Sequence, residues 1–134
     1  MTEPTGTTDF FELVKTGTPQ AVQAAINQGT DLNAQDKYGW TPLMYAAGFN
    51  PNPEVIATLL TAGADIEAQD KYGATPLMEA TWYNPNPEVI TTLLKAGADA
   101  KAKDSVGKSA FYYAQRRAKL QGTDALQKLE KASK

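Results

Sequence analysis

The chain has 134 residues, of which 42% are hydrophobic and 21% charged, and its formal net charge at pH 7 is -2. This length fits one domain, and no apolar run is long enough to span a membrane. Cysteine and histidine are both absent, which excludes disulfides, cysteine nucleophiles, histidine general bases and the zinc sites that these residues form.

Residues 1–11 are polar and lack the basic start and the apolar stretch of a secretory signal. We therefore expect a cytoplasmic protein that does not associate with a membrane, with a mature exported form as the alternative. A chain without cysteine is compatible with reducing and oxidising surroundings alike. The redox compartment thus stays open.

Residues 8–40 are predicted to form an N-terminal capping unit of two short helices. Thr18 and Pro19 mark the start of the second helix, since threonine caps helices well and proline fits the first helical position. The apolar residues of this unit recur at helical spacing and supply one side of a core. They are Phe10, Leu13, Val14, Val22 and Ile26.

Two full units follow at residues 41–74 and 75–108, and 22 of their 34 aligned positions are identical. In the first of them, Thr41 and Pro42 start a helix that must end before Pro51, because the residue preceding a proline avoids helical geometry. A second helix begins within the N-P-N-P link. A glycine then ends this helix, and a polar D-x-x-G turn leads into the next unit.

Residues 109–134 are predicted to form a C-terminal capping unit, in which residues 115–122 replace the N-P-N-P link. Its last helix covers residues 124–131, with Leu126 and Leu129 closing the stack. A pair of short helices cannot bury its apolar face alone, so the units must stack on one another. The pattern therefore predicts a single all-α domain, a solenoid of helical hairpins.

The motifs T-P-L-x-x-A-A, V-I-x-x-L-L-x-A-G-A-D and D-x-x-G closely resemble the ankyrin repeat, from about residue 8 to residue 131. The resemblance implies L-shaped units, each with a helix pair and a projecting β-turn finger. It also implies a concave surface lined by the fingers and the first helices. Most domains of this family bind proteins, so a protein-binding role is the expectation.

Two features depart from the family pattern. The family usually has a histidine after T-P-L that ties successive units together, but this chain has Met44, Met78 and Tyr112 there, so the tie is lost or replaced. The link between helices is N-P-N-P and lengthens the period to 34 residues. Because this link is repeated unchanged, we expect it to fix the helix pair rather than to bind a ligand.

The acidic residues do not form a catalytic pattern, because they recur at equivalent positions of successive units. One set is Asp31, Asp65 and Asp99, and the other is Asp36, Asp70 and Asp104. A catalytic group is needed once, whereas a residue copied into every unit satisfies turn hydrogen bonds. The glycines are also explained by turns, so no phosphate-binding loop is present. We expect no enzyme activity, no cofactor and no metal site.

Binding residues are sought where the units differ. The differing sets are Trp40, Ala74 and Lys108; Tyr45, Glu79 and Tyr113; and Gly48, Trp82 and Arg116. By the family resemblance these positions project into the concave face, beside Tyr38, Tyr72, Phe49 and Tyr83. The candidate partner-binding residues are Tyr38, Trp40, Tyr45, Phe49, Tyr72, Glu79, Trp82, Tyr83, Lys108, Tyr113 and Arg116, with Glu79 and Lys108 on the rim of an exposed aromatic cluster.

A structural interpretation competes with binding at several of these residues. Phe49 and Tyr83 each precede N-P-N-P, and packing on those prolines is favoured for both. For Tyr38 and Tyr72 the sequence favours neither a structural role nor binding. Trp40, Tyr45 and Trp82 have no repeated structural role in the sequence, so binding is favoured for them. Phe111 takes the place of a leucine in the two full units and is assigned to the core.

Charge is unevenly distributed, with a net -8 over residues 1–100 and a net +6 over residues 101–134. The basic C-terminal unit could steer an acidic partner, although a solvated cap is the favoured interpretation. Nucleic acid is not expected, because most of the chain would repel phosphate. The leading hypothesis is a monomeric protein-binding module. The alternatives are a structural or engineered scaffold without an evolved partner, and small-ligand binding in the aromatic groove.

Overall fold

The computed structural model describes residues 7–134, with side chains from Phe10 onward, so the polar residues 1–6 lie outside the described residues. The helices are α1 (Thr7–Thr16), α2 (Pro19–Asn27), α3 (Pro42–Phe49), α4 (Pro53–Thr61), α5 (Pro76–Tyr83), α6 (Glu88–Lys95), α7 (Ala110–Gln115), the 3₁₀ helix η1 (Ala118–Leu120) and α8 (Asp124–Ala132). Within this part of the chain there is no strand, only an isolated bridge between Lys103 and Ser109. The all-α prediction is confirmed.

Each T-P-L-M motif starts a first helix in the predicted way. The Thr41 hydroxyl accepts a hydrogen bond from the Met44 amide at 3.3 Å, and proline occupies the first helical position. Thr75 caps α5 through the Met78 amide at 3.4 Å. The cap accepts from a backbone N–H that has no partner within the helix. Proline has no backbone N–H, and at the first helical position an N–H would have no partner within the helix either.

The helices lie in two layers that run the length of the solenoid. The first helices of the units, α1, α3, α5 and α7, pack in sequence, and the second helices, α2, α4, α6 and α8, do the same. Apolar side chains between the layers form one continuous core. Its leucine and isoleucine members that are 0–1% exposed are Leu43, Ile56, Leu59, Leu77, Ile90, Leu93, Leu120 and Leu129.

The N-P-N-P links hold neighbouring units together. The Asn50 side-chain amide donates to the Val14 and Gly17 carbonyls, both at 3.0 Å. One unit further on, the Asn84 amide donates to the Ala47 carbonyl at 2.7 Å and to the Asn50 carbonyl at 2.9 Å. The tie that a histidine usually supplies is therefore replaced by an asparagine. The structural interpretation of the link is confirmed.

The last unit has no N-P-N-P, and an arginine takes over its function. The Arg117 guanidinium donates to the Thr81 carbonyl at 3.1 Å. Burial lowers the pKa of Arg117 from its usual value without removing the charge. The C-terminal unit is thus attached to α5 by a charged donor in place of a neutral amide.

The fingers between units are closed by the repeated aspartates and joined to each other. Asp70 accepts from the Tyr72 and Ala74 amides through Oδ1, at 2.8 and 3.0 Å, which explains why the residue recurs. Single backbone hydrogen bonds of 3.0 Å connect successive fingers, from the Lys71 amide to the Tyr38 carbonyl and from the Ser105 amide to the Tyr72 carbonyl.

Replacing Gly73 with alanine should destabilise the protein more than the same change at Gly107. The two glycines have similar positive φ values, +80° and +83°, so each substitution costs about 1–2 kcal/mol of backbone strain. Only at Gly73 would the new Cβ lie 2.9 Å from the Ser105 nitrogen of the next finger, which adds about 1 kcal/mol. Urea unfolding measures both losses, and equal losses would contradict a tight contact between the fingers.

Candidate functional site

Eight aromatic rings lie in continuous contact along the first helices and fingers, and we call them the ring series. In spatial order they are Phe11, Tyr45, Trp40, Phe49, Tyr83, Trp82, Tyr113 and Tyr112. Neighbouring ring centroids are between 4.6 and 6.2 Å apart. The series runs from α1 to α7, so it crosses all four helix pairs.

Phe49 and Tyr83 form the exposed centre of the ring series. Their rings stack on each other at 5.5 Å with an interplanar angle of 20°. They remain 40% and 49% exposed, so the links that follow them leave a large part of each ring uncovered. The two rings face each other across neighbouring units, and packing on the following prolines stays a prediction.

Tyr45 and Tyr113 have a structural role that the sequence comparison missed. Their hydroxyls donate to the second carboxylate oxygens of Asp36 and Asp104, the aspartates that close the first and third fingers. Burial and this hydrogen bond raise the pKa of Tyr45 above its usual value and that of Tyr113 to about 12. In both units a tyrosine of the first helix therefore anchors the finger that precedes it.

Glu79 occupies the equivalent position on α5, and its predicted place on an exposed rim was wrong. The side chain is 1% exposed, because α5 carries it inward beneath the finger. No neighbouring N–H or hydroxyl donates to either carboxyl oxygen. Burial raises the pKa of Glu79 to about 9, and the negative charge of Asp70 and a hydrogen bond between the two carboxyls contribute to the shift. Glu79 is therefore protonated at neutral pH.

Lys108 and Arg116 both contact the Tyr112 ring at the C-terminal end of the face. The Lys108 ammonium lies 4.5 Å from the centroid of Tyr112, and the Arg116 guanidinium carbon lies 3.6 Å from the same centroid. Arg116 also donates to the Tyr112 carbonyl at 2.8 Å. Both cations are thus held in place by contacts with this ring, at the end of the ring series.

Tyr38 and Tyr72 lie at the finger tips, outside the ring series. They are 48% and 62% exposed. Lys37 lies 5.2 Å from the Tyr38 centroid, and Lys71 lies between the two rings, 6.0 Å from Tyr38 and 5.5 Å from Tyr72. The finger tips therefore present alternating aromatic and basic side chains beside the main face.

Sequence reasoning missed Phe11 and Lys15 of α1, which extend the face at its N-terminal end. The Phe11 ring contacts Tyr45 at 5.4 Å. The Lys15 ammonium lies 5.4 Å from the Tyr45 centroid and 6.0 Å from that of Phe49, and it pairs with Glu12 at 3.1 Å. Their spacing of four residues, which places both on one side of a helix, was the available signal.

Two cavities open along the ring series. The N-terminal cavity, about 410 Å³, is lined by Lys15, Tyr38, Trp40, Tyr45, Phe49 and Tyr83. The central cavity, about 370 Å³, lies between α5, α7 and the second and third fingers, with Asp70, Glu79 and Asp104 among its lining residues. Its aromatic walls come from Trp40, Tyr72, Trp82, Tyr83 and Tyr113.

No helix among residues 7–134 is long and apolar enough to cross a membrane. Across the same residues there is no group of three or more acidic side chains placed to hold a metal ion. The described side chains therefore provide an aromatic contact surface with two cavities, and each aspartate that closes a finger is already engaged with backbone amides.

The fold defines a helical repeat protein built from stacked helix pairs. A family model described as ankyrin repeats, in three copies, matches residues 10–104, which is more than half of the chain. The chain belongs to the ankyrin-repeat family. Ankyrin repeats are in general protein-interaction modules and typically have no enzymatic activity.

A stretch of 38 residues is 45% identical to "Ankyrin repeat, SAM and basic leucine zipper domain-containing protein 1" of Carollia perspicillata. The match covers 28% of this chain and 8% of that protein. This relative is similar over about one repeat, and the chain spans a small fraction of its length.

Proposed function

We propose that this chain is a monomeric, non-enzymatic module that binds a protein partner through its concave face, in the cytoplasm and without contact to nucleic acid or membrane. The binding face belongs to one domain of four units, residues 8–40, 41–74, 75–108 and 109–134. The observation that carries the proposal is the exposed centre of the ring series, where Phe49 and Tyr83 stack on each other and remain 40% and 49% exposed.

Aromatic rings in this position favour binding for a physical reason. Large apolar groups left in water at the centre of a continuous surface are unfavourable until a partner covers them. Rings fixed by their neighbours lose little conformational freedom on binding, and aromatic residues dominate the energetics of protein interfaces. The repeated N-P-N-P links add rigidity, since they hold the first helices in register.

The proposed contact residues are six rings of the ring series, the two finger-tip tyrosines, and the two cations at the C-terminal end. They are Tyr38, Trp40, Tyr45, Phe49, Tyr72, Trp82, Tyr83, Lys108, Tyr113 and Arg116. Glu79 is assigned to the floor of the central cavity. Residues 1–100 carry 4 basic and 12 acidic groups, a net -8, so a phosphate backbone would be repelled by most of the chain.

Hydrogen exchange of the complex tests the location of the interface. A partner is captured from extracts of the source organism over a range of concentrations, and exchange is compared with and without it. We expect saturable capture and slower exchange in the fingers and in α3 and α5. Protection confined to α2, α4 and α6 would contradict the proposal. Absence of any saturable partner would favour a scaffold without an evolved ligand.

A further inference from the structure

The central cavity lies where the residues around α5 differ from those around α3 at two positions. Ala74 precedes α5 where Trp40 precedes α3, and Glu79 stands on α5 where α3 and α7 carry tyrosine. Beside α3 the Trp40 and Tyr45 rings are in contact, with centroids 4.8 Å apart. Neither ring has an equivalent beside α5, where a space of about 370 Å³ is found.

The floor of the central cavity is acidic. In the first and third fingers a tyrosine hydroxyl donates to the second carboxylate oxygen of the closing aspartate. Asp70 in the second finger has no such tyrosine, because Glu79 replaces it, and the protonated Glu79 carboxyl shares a hydrogen bond with Asp70 instead. No other group donates to the buried oxygens of Glu79. Two carboxyls with one proton between them have more acceptor than donor capacity, which indicates a missing donor.

Four of the five aromatic rings that line the central cavity carry no cation of the chain itself. Elsewhere on this face the rings are covered by basic side chains, with Lys15 over Tyr45 and Phe49 as one example. The fifth lining ring, Tyr72, has the Lys71 ammonium 5.5 Å from its centroid. In the described part of the chain, no lysine or arginine lies over the other four lining rings, Trp40, Trp82, Tyr83 and Tyr113.

We propose that the central cavity binds an organic cation, an ammonium or guanidinium head group, carried on a side chain of the protein partner. Aromatic faces attract such cations, and the attraction increases when the site is shielded from water. A buried carboxyl supplies the opposite charge and accepts the donors of the head group. The choice of carrier, though not the chemistry of the cavity, rests on the proposed function.

An organic cation fits the lining better than a metal ion does. Hard metal ions take several oxygen ligands at short distances, and no group of three acidic residues among residues 7–134 is placed to provide them. A methylated or alkyl ammonium is less strongly hydrated and can lie against rings. The chain shows the same mode of contact at its own Lys15, which lies on two rings and pairs with Glu12.

Binding of the cation should release one proton. The raised pKa of Glu79, about 9, keeps the empty cavity protonated at neutral pH, whereas a bound cation favours the carboxylate, so the proton moves from the Glu79 carboxyl to solvent. The other titratable or charged groups at or beside the cavity are Asp70, Tyr72, Tyr83, Asp104, Lys108 and Tyr113.

Three of these groups keep one protonation state between pH 6 and pH 9. Burial alone would raise the pKa of Asp104, but hydrogen bonds from Tyr113 and two backbone amides lower it below the usual value. Burial raises the pKa of Tyr83 above its usual value and that of Tyr113 to about 12. Affinity for a cation should therefore rise with pH by up to about tenfold per unit, until Glu79 is ionised without the ligand.

Choline and its neutral isostere 3,3-dimethyl-1-butanol test the chemistry of the cavity. Both are titrated into the full chain while the indole NH signals are followed by NMR, with sodium chloride as the ionic-strength control. We expect choline to bind saturably and the neutral isostere about tenfold or more weakly. Choline affinity should rise between pH 6.5 and pH 8.5 in the wild-type protein and stay constant in Glu79→Gln.

The variant Glu79→Tyr is the matched control, since it gives α5 the tyrosine that α3 and α7 carry at the equivalent position. The tyrosine fills the cavity, so choline affinity should fall about tenfold or more while circular dichroism stays unchanged. Equal affinity for choline and the neutral isostere would overturn the proposal. Undiminished choline binding by Glu79→Tyr would also overturn it.

The captured partner tests the carrier of the cation. Glu79→Tyr should weaken partner binding about tenfold or more, whereas Glu88→Gln, an exposed acid of α6, should leave it unchanged. If choline binds but Glu79→Tyr leaves the affinity for the partner unchanged, the assignment of the cation to a partner side chain is wrong and the cation is a free ligand. If choline binds and no partner exists, the proposed function fails while the chemistry of the cavity stands.

Discussion

Replacing Trp40 and Trp82 together with alanine should weaken partner binding by about 100-fold or more. Truncation of a central aromatic residue at an interface often costs about 2 kcal/mol or more, and these two residues lie on either side of the exposed centre of the ring series. Trp40 contacts Tyr45 and Phe49 at 4.8 and 6.2 Å, and Trp82 contacts Tyr83 and Tyr113 at 6.1 and 4.6 Å. Isothermal titration calorimetry with the captured partner measures the loss.

Stability must be separated from binding in this experiment, because both tryptophans are partly buried and Trp82 packs against the core. The variants Trp40→Phe and Trp82→Phe keep a ring at each position and should retain most of the stability with a smaller loss of affinity. Thr61→Ala, at the exposed end of α4, is the control from the opposite layer. A folded double alanine variant with wild-type affinity would refute a binding role for the concave face.

Replacing Glu79 with tyrosine should stabilise the protein by about 2–4 kcal/mol at pH 8.5. The change removes a buried carboxyl that lies beside a second acid and receives no donor, and the new hydroxyl can donate to Asp70 as Tyr45 and Tyr113 donate to their aspartates. Thermal unfolding should show a correspondingly higher Tm. A lower Tm would mean that the cavity cannot accommodate the ring and that the buried Glu79 carboxyl costs little.

The pH dependence of stability isolates the charge of Glu79. Its folded-state pKa of about 9 lies above the ordinary value of 4.5, so over that interval the folded protein binds one proton more than the unfolded chain. Stability from the protonated group is complete below about pH 4.5 and is lost as pH rises towards 9, by about 1.4 kcal/mol per pH unit.

Glu79→Gln removes this titration with little change of shape. The stability of the wild-type protein relative to Glu79→Gln should therefore fall by about 4 kcal/mol between pH 5.5 and pH 8.5. Urea unfolding at several pH values measures the difference between the two proteins. Parallel stability curves would show that Glu79 is already ionised in the folded state.

The fold was predictable because its determinants are local and repeated. A threonine followed by proline starts a helix wherever it occurs, and the N-P-N-P link must break one. Repetition also gave the correct structural interpretation of Asn50 and Asn84, although the sequence could not show which carbonyls they would contact. Those carbonyls belong to the preceding unit, more than thirty residues earlier, and no local rule specifies them.

The candidate site was only partly predictable, because comparison of equivalent positions ignores the groups that surround them. Tyr45 and Glu79 occupy equivalent positions with different side chains, so both were predicted to bind a partner. In the structure both side chains are directed toward the preceding finger, because α3 and α5 place them in the same way. The hydrogen bond between Tyr45 and Asp36 spans nine residues and recurs only between Tyr113 and Asp104. Because Glu79 interrupts this pattern, comparison of the units did not reveal it. Burial of Glu79 depends on its surroundings in the folded protein, which an alignment of equivalent positions does not contain.

The asparagine tie has a direction, and this direction affects how the chain can be lengthened. Asn84 donates to the carbonyl of Asn50, whose own side chain donates to α1, so each unit offers acceptors forward and donors backward. A copy of residues 41–74 inserted at residue 74 would meet both requirements and extend the molecule by one step. Since every tie joins nearest neighbours, such an array would unfold one unit at a time from its ends.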